Sequence, residues 1–318
     1  MSRDLDASVV ILSYDRVHLL ERTLTACLAD RTADGLAWEI IVVDNHPDRL
    51  AERMVARLAQ VAASPIAYLS DARRNVSIVR NLGIARARGR YVAFIDDDEA
   101  PETGWLKTLV TTLDRTGADA AFGPKHPEFE GGAAPAWDRQ GWRYTLDLQM
   151  QQDEPIQMFG RLRKKGKGLG SGNAAFRVAT CFDTPEPFSV AFGDGNGEDT
   201  HLLFRLALAG KRFVWAPDAR VREFIELDRA KPSYMVTRMK RGSQHYAASR
   251  IATSDRKAYT RARVSLLGMA QFAVHAGLYA VTLEWLRRGS FDHRIGMAKG
   301  LGKLTWRAPI GFIDEKTA

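Results

Sequence analysis

A run of three aspartates carries the clearest chemistry in the chain. Asp96, Asp97 and Asp98 follow a strand-like apolar stretch at residues 91–95. Three carboxylates at the end of a buried strand repel one another, so a cation or ligand hydroxyls must offset their charge. The run therefore indicates a site for a metal ion and a diphosphate. The alternative is a solvated acidic turn, or an acidic cap ahead of a helix predicted to begin near Trp105.

A second acidic pair lies much further along the chain. Glu198 and Asp199 stand directly before an amphipathic helix that is predicted to end near Gly210. The pair can cap that helix together with Thr200. A carboxylate can also act as a general base and take the proton of a hydroxyl group. Two acidic clusters far apart in sequence suit two separate tasks, namely charge neutralisation and proton transfer.

Alternating strands and helices must position these clusters. Short apolar strands are predicted at residues 8–13, 38–43, 66–69 and 91–95, and helices at residues 17–29 and 76–88. Strands that alternate with helices of about a dozen residues form βαβ units around a parallel sheet. Ligands bind at the carboxyl ends of such strands. Ser13 with Tyr14, Asp44 and the three aspartates fall at these ends, which predicts one shared cleft.

Composition limits the class of protein. The 318 residues carry a net charge of +8, which implies an acidic partner such as a nucleotide diphosphate or an anionic membrane surface. Nucleic acid is not an expected partner, because no zinc-finger spacing and no aromatic-basic RNA motif is visible. Cys27 and Cys181 have no metal-ligand spacing and are expected to be buried thiols. The polar start of the chain lacks a signal-peptide pattern, so we expect a cytoplasmic protein.

The order and spacing of four segments resemble the family-2 glycosyltransferases of the GT-A fold. The segments are ILSYDR, IIVVDN, NVSIVRNLGIARARGRYVAFIDDDEAP and GNGEDTHLLFRLALAG, within residues 8–245. Inside the family, the chain is most similar to bacterial enzymes of succinoglycan-type exopolysaccharide assembly. The resemblance implies an α/β, Rossmann-like GT-A fold with a mixed, mostly parallel sheet flanked by helices. It implies a nucleotide-sugar-binding and catalytic domain at residues 1–230 and a helical C-terminal extension at residues 231–318.

The same resemblance implies roles for both acidic clusters. Asp199 would be the base that deprotonates the acceptor hydroxyl, and Glu198 would bind or orient the acceptor. Asp98 would hold a Mn²⁺ or Mg²⁺ ion, with Asp96 nearer the ribose and diphosphate and able to share the metal. Many relatives place a histidine ligand after the strand that follows the amphipathic helix. This chain has Glu223 in that stretch, which we expect to substitute for the histidine.

Further residues are expected to contact the nucleotide sugar. Ser13 and Tyr14 match the family's loop that touches the base, and Asp44 matches the residue that binds uracil or ribose. Arg80 can either reach the base or phosphates with its fork of donors or lie on a solvated helix face. The other expected contacts are Arg74, Asn81, Asp96, Asp97, Gly172 and Asn173. A basic, glycine-rich run at residues 161–172 is predicted to be a lid over the diphosphate, with a solvated linker as the alternative.

The resemblance predicts an inverting enzyme that adds a single sugar from a UDP-sugar. Processive polymerases of this fold carry a Gln-x-x-Arg-Trp motif after the base, whereas the corresponding helix here offers only His201 and Arg205. The expected acceptor is a lipid-linked saccharide, carried on a polyprenyl diphosphate, in exopolysaccharide or surface-glycan synthesis. Two alternatives stay open: a soluble acceptor, and a non-catalytic protein that binds nucleotide sugar or acts as a scaffold.

The C-terminal third predicts contact with a membrane. Residues 264–286 are long and apolar and approach the roughly 20 residues that span a bilayer. Interruptions at Gln271, His275 and Glu284 favour a helix that lies in the interface instead, and residues 295–306 have a similar interfacial character. We therefore expect a peripheral protein at the inner face of the cell membrane. The alternatives are a helix that spans the bilayer and a helical bundle packed on the catalytic domain.

Overall fold

The computed structural model describes residues 4–159, 168–195, 197–282 and 289–307, and alternating strands and helices make up most of them. The strands are β1 (Leu5–Ser13), β2 (Trp38–Asp44), β3 (Ile66–Ser70), β4 (Gly89–Asp96), β5 (Glu99–Pro101), β6 (Ala120–Phe122), β7 (Lys125–Phe129), β8 (Ala174–Arg177), β9 (Phe213–Trp215) and β10 (Val221–Ile225). The α-helices are α1 (Val17–Ala29), α2 (Glu52–Ala59), α3 (Val76–Arg86), α4 (Trp105–Thr116), α5 (Val178–Cys181), α6 (Glu198–Leu208), α7 (Pro232–Ala252), α8 (Lys257–Thr282) and α9 (Gly289–Leu304).

The main sheet has the strand order β3-β2-β1-β4-β8-β6-β9. All its neighbouring pairs are parallel except those of β8, which runs antiparallel to β4 and β6. This order confirms the predicted mixed, mostly parallel sheet. The predicted boundaries shift by only a few residues: the strand expected at 91–95 is Gly89–Asp96, and the helix expected at 76–88 ends at Arg86.

Two apolar layers cover the two faces of this sheet, which explains the continuous hydrophobic strands. In β1, Val9 and Ile11 face the layer that contains α1 and α4, whereas Val10 faces the layer that contains α3 and α6. Successive side chains of a strand point to opposite faces, so a strand with helices on both sides must be apolar at every position. Cys27 and Cys181 are buried in these layers as free thiols, as predicted.

A small second sheet brings a distant segment to the end of β4. Its order is β5-β10-β7, with β10 antiparallel to β5 and parallel to β7. The register places Glu223 opposite Glu99. The backbone N–H of Phe224 also donates to the carbonyl of Asp98 at 2.7 Å. The second sheet therefore attaches Glu223 to the aspartate run.

The C-terminal helices pack one on another outward from the sheet domain, in the order α7, α9 and α8. α7 packs on α6, and Nε2 of its His245 lies 2.8 Å from the carbonyl oxygen of Gly195. α9 packs on α7, where Ser243 Oγ donates to the Lys299 carbonyl at 2.8 Å. α8 packs mainly on α9. Among the described residues, α8 is the one helix whose length and composition would allow it to cross a membrane.

Candidate active site

One cavity of about 1360 Å³ lies at the carboxyl ends of β1 and β4. Ligand pockets for one small molecule typically measure about 300 to 1,000 Å³, so this cavity has room for two substrates. Both acidic clusters line it. The predicted site residues that reach its wall are Ser13, Tyr14, Arg74, Arg80, Asp96, Asp97, Asp98, Glu198, Asp199 and Glu223.

Two arginines bond the inner aspartates. The side chains of Asp97 and Asp98 are buried, and Arg16 donates to both of them. Oδ2 of Asp98 lies 2.5 Å from Nη1 of Arg16 and 2.6 Å from Nη1 of Arg229. Burial alone would raise the pKa of Asp98, but Arg16 and Arg229 hold it well below its usual range. Burial raises the pKa of Asp97 to about 7, because Arg16 offsets only part of that effect.

Lys125 balances the outer part of the same cluster. Its ammonium bonds the buried Glu99 and lies 3.3 Å from Oδ2 of Asp96. Burial raises the pKa of Glu99 to about 8, although Lys125 lowers it. Asp96 differs from the other acids because 38% of its side chain is exposed. Asp96 is therefore the carboxylate of this cluster that a ligand in the cavity can reach most easily.

The charge of this cluster fits a divalent cation. The carboxylates are those of Asp96, Asp97, Asp98, Glu99 and Glu223, and the cationic side chains are Arg16, Lys125 and Arg229. Five acids against three cations leave two negative charges when all are ionised. Carboxylate oxygens are also the ligands that Mg²⁺ and Mn²⁺ prefer. In the described ranges no three acidic, histidine or cysteine side chains are arranged to hold a metal ion, and Oδ2 of Asp98 is bonded by both Arg16 and Arg229.

Glu198 and Asp199 begin α6 in different environments. Glu198 is buried, accepts the backbone N–H of Gly197 at 2.8 Å and pairs with Nε of Arg80 at 3.1 Å. Burial, together with the neighbouring Asp199, raises the pKa of Glu198. Asp199 is only partly buried, and its Oδ1 accepts the backbone N–H of Thr200 at 2.6 Å. Asp199 is thus the member of the pair that an acceptor in the cavity can reach.

Arg80 does not lie on a solvated helix face, which was one of the two predicted alternatives. The residue is 8% exposed, and its guanidinium lies 5.4 Å from the ring centre of Phe94 and 5.3 Å from that of Phe188. This aromatic contact fixes the arginine, and its Nε holds the carboxylate of Glu198. Arg80 therefore acts as a positioning residue for the second acidic cluster.

Two glycines before β8 pass close to the two acidic clusters. A Cβ added to Gly170 would lie 2.7 Å from Oδ2 of Asp199, and one added to Gly172 would lie 2.4 Å from Oδ2 of Asp96. Any larger residue would displace these carboxylates, so glycine is what permits the close approach. The basic part of the predicted lid falls at residues 160–167, which lie outside the described residues.

Tyr14 and Arg74 line the nucleotide side expected from the sequence. The ring of Tyr14 packs at a tilt against the ring of His46, with the centroids 5.2 Å apart. Arg74 is exposed at the cavity rim, just before α3. Ser13 is buried at the end of β1, between these residues and the aspartates. An aromatic ring and a free-standing guanidinium are suited to a base and a phosphate, respectively.

Asp44 was predicted to bind uracil or ribose, but its side chain does not line the cavity. It is 1% exposed, and its carboxylate accepts hydrogen bonds from the backbone N–H groups of His46 (2.8 Å) and Ala51 (2.9 Å). The hydroxyl of Tyr68 donates a third bond at 2.9 Å. These bonds shape the loop after β2. The next residue, Asn45, lines the cavity instead.

Asn81, Gly172 and Asn173, predicted to contact the nucleotide sugar, also lie outside the cavity lining. The Asn81 amide bonds both the carbonyl and the N–H of Phe188. Oδ1 of Asn173 accepts the indole N–H of Trp105 at 2.7 Å, and its Nδ2 donates to two backbone carbonyls. Because protein groups bond both ends of each amide, these asparagines stabilise the walls of the cavity.

Sequence reasoning missed the three cations of the first cluster. Arg16 could have been found, because it ends the polar turn after β1 that the sequence already placed at the cleft. Lys125 begins β7 and Arg229 follows β10, and both reach the aspartates only through the second sheet. No local pattern indicates that sheet, since its three strands come from separate parts of the chain.

The mixed sheet, with acidic side chains at the end of β4 and a separate carboxylate pair on α6, has the architecture of the GT-A glycosyltransferases. Residues 8–180 match the family described as glycosyl transferase family 2. The chain belongs to this family, as predicted, and it is therefore a glycosyltransferase that takes a nucleotide-sugar donor and a saccharide acceptor.

Individual relatives agree with this assignment. The succinoglycan biosynthesis protein ExoM of Rhizobium meliloti is 30% identical over 241 residues, which are 76% of this chain and 74% of ExoM. Glycosyltransferase AglE of Haloferax volcanii is 26% identical over 47% of each chain. The crystal structure of S. aureus TarS 1-349 in complex with UDP superposes with a TM-score of 0.52 at 15% identity, covering 92% of this chain and 90% of that one. That similarity shows a common fold.

Proposed function

We propose that this glycosyltransferase moves a single sugar, with inversion, from a UDP-sugar to a lipid-linked saccharide in exopolysaccharide or surface-glycan synthesis. The observation that carries the proposal is one cavity with an acidic cluster for the donor diphosphate and a separate, reachable carboxylate, Asp199, for the acceptor. The name of ExoM supports an exopolysaccharide product, and the UDP bound to TarS supports a UDP-sugar donor.

In the proposed reaction, Asp199 takes the proton of the acceptor hydroxyl while the hydroxyl oxygen bonds to the anomeric carbon of the donor. The bond from that carbon to the diphosphate breaks, and its electron pair leaves with UDP. Attack opposite the leaving group inverts the anomeric configuration. Glu198, held by Arg80, is proposed to orient the acceptor beside the base.

The leaving diphosphate gains negative charge beside the first cluster. Asp98, Asp96 and Glu223 are the residues that would hold Mn²⁺ or Mg²⁺, and such an ion would neutralise the departing group. Arg16 and Arg229, once they turn away from Asp98, can donate hydrogen bonds to the phosphate oxygens. Ser13, Tyr14, Arg74 and Asp97 are proposed to border the nucleotide.

Addition of a single sugar is supported by the contacts of His201 and Arg205, the two residues of α6 at the place of the polymerase motif. The ring of His201 stacks on that of Phe192, with centroids 4.1 Å apart, and burial lowers the pKa of His201 to about 4. Nη1 of Arg205 donates to the carbonyl of Pro187 at 3.1 Å. Both side chains contact the loop before α6, in place of the Gln-x-x-Arg-Trp motif of the processive enzymes.

We also propose that α8 contacts the membrane through apolar side chains that are exposed on its outer face. Its exposed apolar side chains, between 39% and 68% accessible, are Leu266, Leu267, Met269, Phe272, Val274, Leu278 and Val281. The polar residues turn inward: Oε1 of Gln271 accepts from Lys303 at 2.7 Å, and Nδ1 of His275 lies 3.2 Å from Nδ1 of His293. A water-facing helix has the opposite arrangement. Gln271 and His275 were predicted to favour an interfacial helix because they interrupt the apolar stretch. Both face the protein, so they do not argue against a helix that spans the bilayer. Glu284, the third interruption, lies outside the described residues.

The basic start of α8 supports contact with the membrane surface. The basic residues Lys257, Arg261 and Arg263 are exposed at the start of the helix, where they suit anionic headgroups. We therefore propose a peripheral location at the inner face of the cell membrane, beside the polyprenyl-diphosphate carrier of the acceptor.

A thermal-shift screen followed by a turnover assay tests the proposed function. The native chain is heated with UDP-, GDP- and dTDP-sugars, with and without Mn²⁺, because a ligand that binds only the native state raises its melting temperature. We expect the largest shift with a UDP-sugar and Mn²⁺, and UDP release when a lipid-linked saccharide is added. A shift with GDP- or dTDP-sugars alone would contradict the donor assignment. Binding without release on any acceptor would favour the scaffold alternative.

A further inference from the structure

The wall of the cavity formed by α7 and α9 is strongly cationic. Its charged side chains are Arg143, Arg238, Arg241, Asp292, Lys299 and Lys303. Asp292 is the one carboxylate among them, and it is bonded by Arg143. The acidic residues described above lie elsewhere in the cavity, at the ends of β4 and β10 and at the start of α6. This wall is therefore the part of the cavity in which cationic side chains outnumber carboxylates most.

The described part of the chain offers this wall little negative charge to balance it. Lys303 donates to neutral oxygens only, those of Ser243, Gln271 and the Lys299 backbone. The Lys299 ammonium has no ion pair within the described ranges. Nη1 of Arg238 is buried and has no hydrogen-bond partner among the described residues. A buried donor without an acceptor is costly, so an anion that reaches it would be bound favourably.

The pKa values of Lys299 and Lys303 are both lowered, so their positive charge is unfavourable in the ligand-free cavity. Burial, and then the charge of Arg143, lowers the pKa of Lys299. Burial, and then the charge of Lys299, lowers the pKa of Lys303. Cations that repel one another in a half-buried wall become more stable when an anion joins them. The lowered pKa values of the two lysines and the unpaired Nη1 of Arg238 therefore both favour binding of an anion.

We infer that this cationic wall binds the phosphate groups of the acceptor, namely the diphosphate that links its saccharide to an isoprenoid lipid. The inference rests on the proposed function and adds the residues that recognise the acceptor. Two side chains carry it: Arg238 on α7 and Lys299 on α9. The donor diphosphate is instead proposed to bind at the aspartate run.

The spacing along α7 supports this placement. Arg238, Arg241 and His245 lie three and four residues apart and share one face of the helix, and all three line the cavity. A Cβ on Gly197, two residues before Asp199, would lie 3.0 Å from the His245 ring. Arg238 lies seven residues earlier, which is about 10 Å along the helix axis. A phosphate at Arg238 would therefore leave room for a short saccharide to reach the base.

The position of the lipid follows from the same helices. α9 carries Lys299 on its cavity side and packs against α8 on another side. A diphosphate bound at the wall would therefore lie beside the helix whose exposed face is apolar. An isoprenoid chain attached to that diphosphate can leave along α8 toward the membrane.

Calorimetry with farnesyl diphosphate as the probe tests the inference on the full chain in detergent. The nucleotide site is first saturated with UDP and Mn²⁺. We expect farnesyl diphosphate to bind, and the variants Arg238→Gln and Lys299→Gln each to weaken binding about tenfold, the effect of losing one charge-assisted hydrogen bond. Lys299→Arg, which keeps the charge, should restore most of the affinity. Farnesol, which lacks phosphate, should bind at least tenfold more weakly than farnesyl diphosphate.

The matched control is Arg294→Gln, which removes one charge from an exposed position of α9 outside the cavity. It should change the affinity for farnesyl diphosphate less than twofold, and UDP affinity should stay within twofold in every variant. The inference is wrong if UDP displaces farnesyl diphosphate. It is wrong if the control variant weakens binding as much as Lys299→Gln does. It is also wrong if Lys299→Gln lowers the melting temperature while Lys299→Arg restores no affinity. It is also wrong if the same variants abolish binding to phosphatidylglycerol vesicles but not to farnesyl diphosphate. A chain that binds farnesyl diphosphate but no UDP would contradict the proposed function alone.

Discussion

Burial gives the neighbours Glu198 and Asp199 different environments. The Glu198 carboxylate is held by Arg80 inside the protein, whereas Asp199, in the first turn of α6, is only partly buried and lines the cavity. A base must meet its substrate, and the partly exposed carboxylate of Asp199 can do so more easily than one bonded to a buried arginine. The sequence places both acids at one helix start, and only the structure separates their environments.

The substitution Asp199→Asn separates binding from chemistry. The amide keeps the size of the side chain but cannot accept the acceptor proton, so UDP-sugar binding should persist while UDP release falls by about two to four orders of magnitude. The control is Asp48→Asn, which changes an exposed acid away from the cavity and should leave the rate within twofold. Near-normal turnover in Asp199→Asn would move the base elsewhere, with Glu198 as the first candidate.

The buried pair of Arg80 and Glu198 predicts a pH-dependent loss of stability. Removing one partner of a buried ion pair costs about 3 to 5 kcal/mol. In Arg80→Met, Glu198 loses the cation that lowers its pKa, so burial and Asp199 raise that pKa further. A folded-state pKa above the unfolded value contributes stability below the unfolded pKa and loses it as pH rises. Urea unfolding should therefore show a smaller loss at pH 5 than at pH 8.

The double variant Arg80→Met with Glu198→Gln provides the control for that experiment. It removes the titrating group, so the difference between pH 5 and pH 8 should largely disappear. An equal loss in Arg80→Met at both pH values would mean that the arginine stabilises the protein through its contacts with Phe94 and Phe188.

Asp98 allows a direct test of the proposed metal. In the parent protein, Mn²⁺ should tighten UDP binding at least about tenfold, since the ion would neutralise charge between the carboxylates and the diphosphate. Asp98→Asn keeps hydrogen-bonding atoms for Arg16 and Arg229 but lacks the charge, so Mn²⁺ should no longer change its affinity for UDP. Calorimetry with and without a chelator measures both. Equal UDP affinity in the parent with and without Mn²⁺ would exclude this role.

At the scale of elements, the segment before β8 connects the two acidic clusters. A Cβ on Gly172 would lie 2.4 Å from Asp96 and 2.5 Å from the Lys125 ammonium, whereas one on Gly168 meets nothing within 4 Å. Gly172→Ala should therefore lower turnover about tenfold or more by displacing Asp96, and Gly168→Ala should change it less than twofold. A steady-state UDP-release assay compares the two. Equal effects would mean that chain flexibility, and not the contact with Asp96, limits the reaction.

Local pattern was enough to predict the elements that deliver the first cluster. The apolar runs of β1, β2 and β4 need helices on both faces, and the carboxyl ends of parallel strands must meet, so Ser13 and Asp96 to Asp98 could be placed together. Pairing between distant segments could not be predicted. Lys125, Glu223 and Arg229 reach the site through a small sheet of strands far apart in sequence, and periodicity within each strand does not indicate its partner.

At the scale of the whole molecule, α7 joins the cavity to the C-terminal helices. It packs on α6 beside the proposed base and presents Arg238 and Arg241 to the same cavity, while α9 and α8 follow outward. A division at residue 230 separates the sheet domain from the helices in sequence, but the cavity is built from both. This arrangement would bring a lipid-linked acceptor from the outer helix to the base without passing the nucleotide side.

The exposed face of α8 predicts reversible binding to anionic membranes. The full chain should co-float with vesicles that contain phosphatidylglycerol, because apolar side chains enter the interface and each nearby lysine or arginine adds about 1 kcal/mol. High salt or neutral vesicles should weaken binding, since salt screens the charged contribution. The triple variant Leu267→Gln, Val274→Gln and Val281→Gln should float much less, whereas Val61→Gln, at an 81% exposed position of the sheet domain, should float like the parent.

The outcomes of the flotation experiment decide between the three arrangements that the sequence left open. Salt-sensitive flotation that the triple variant loses supports an interfacial helix, because more than half of each substituted residue is exposed. A chain that ignores anionic vesicles would mean that the outward face of α8 meets protein instead of lipid. A chain that resists both salt and carbonate would mean that the segment spans the bilayer.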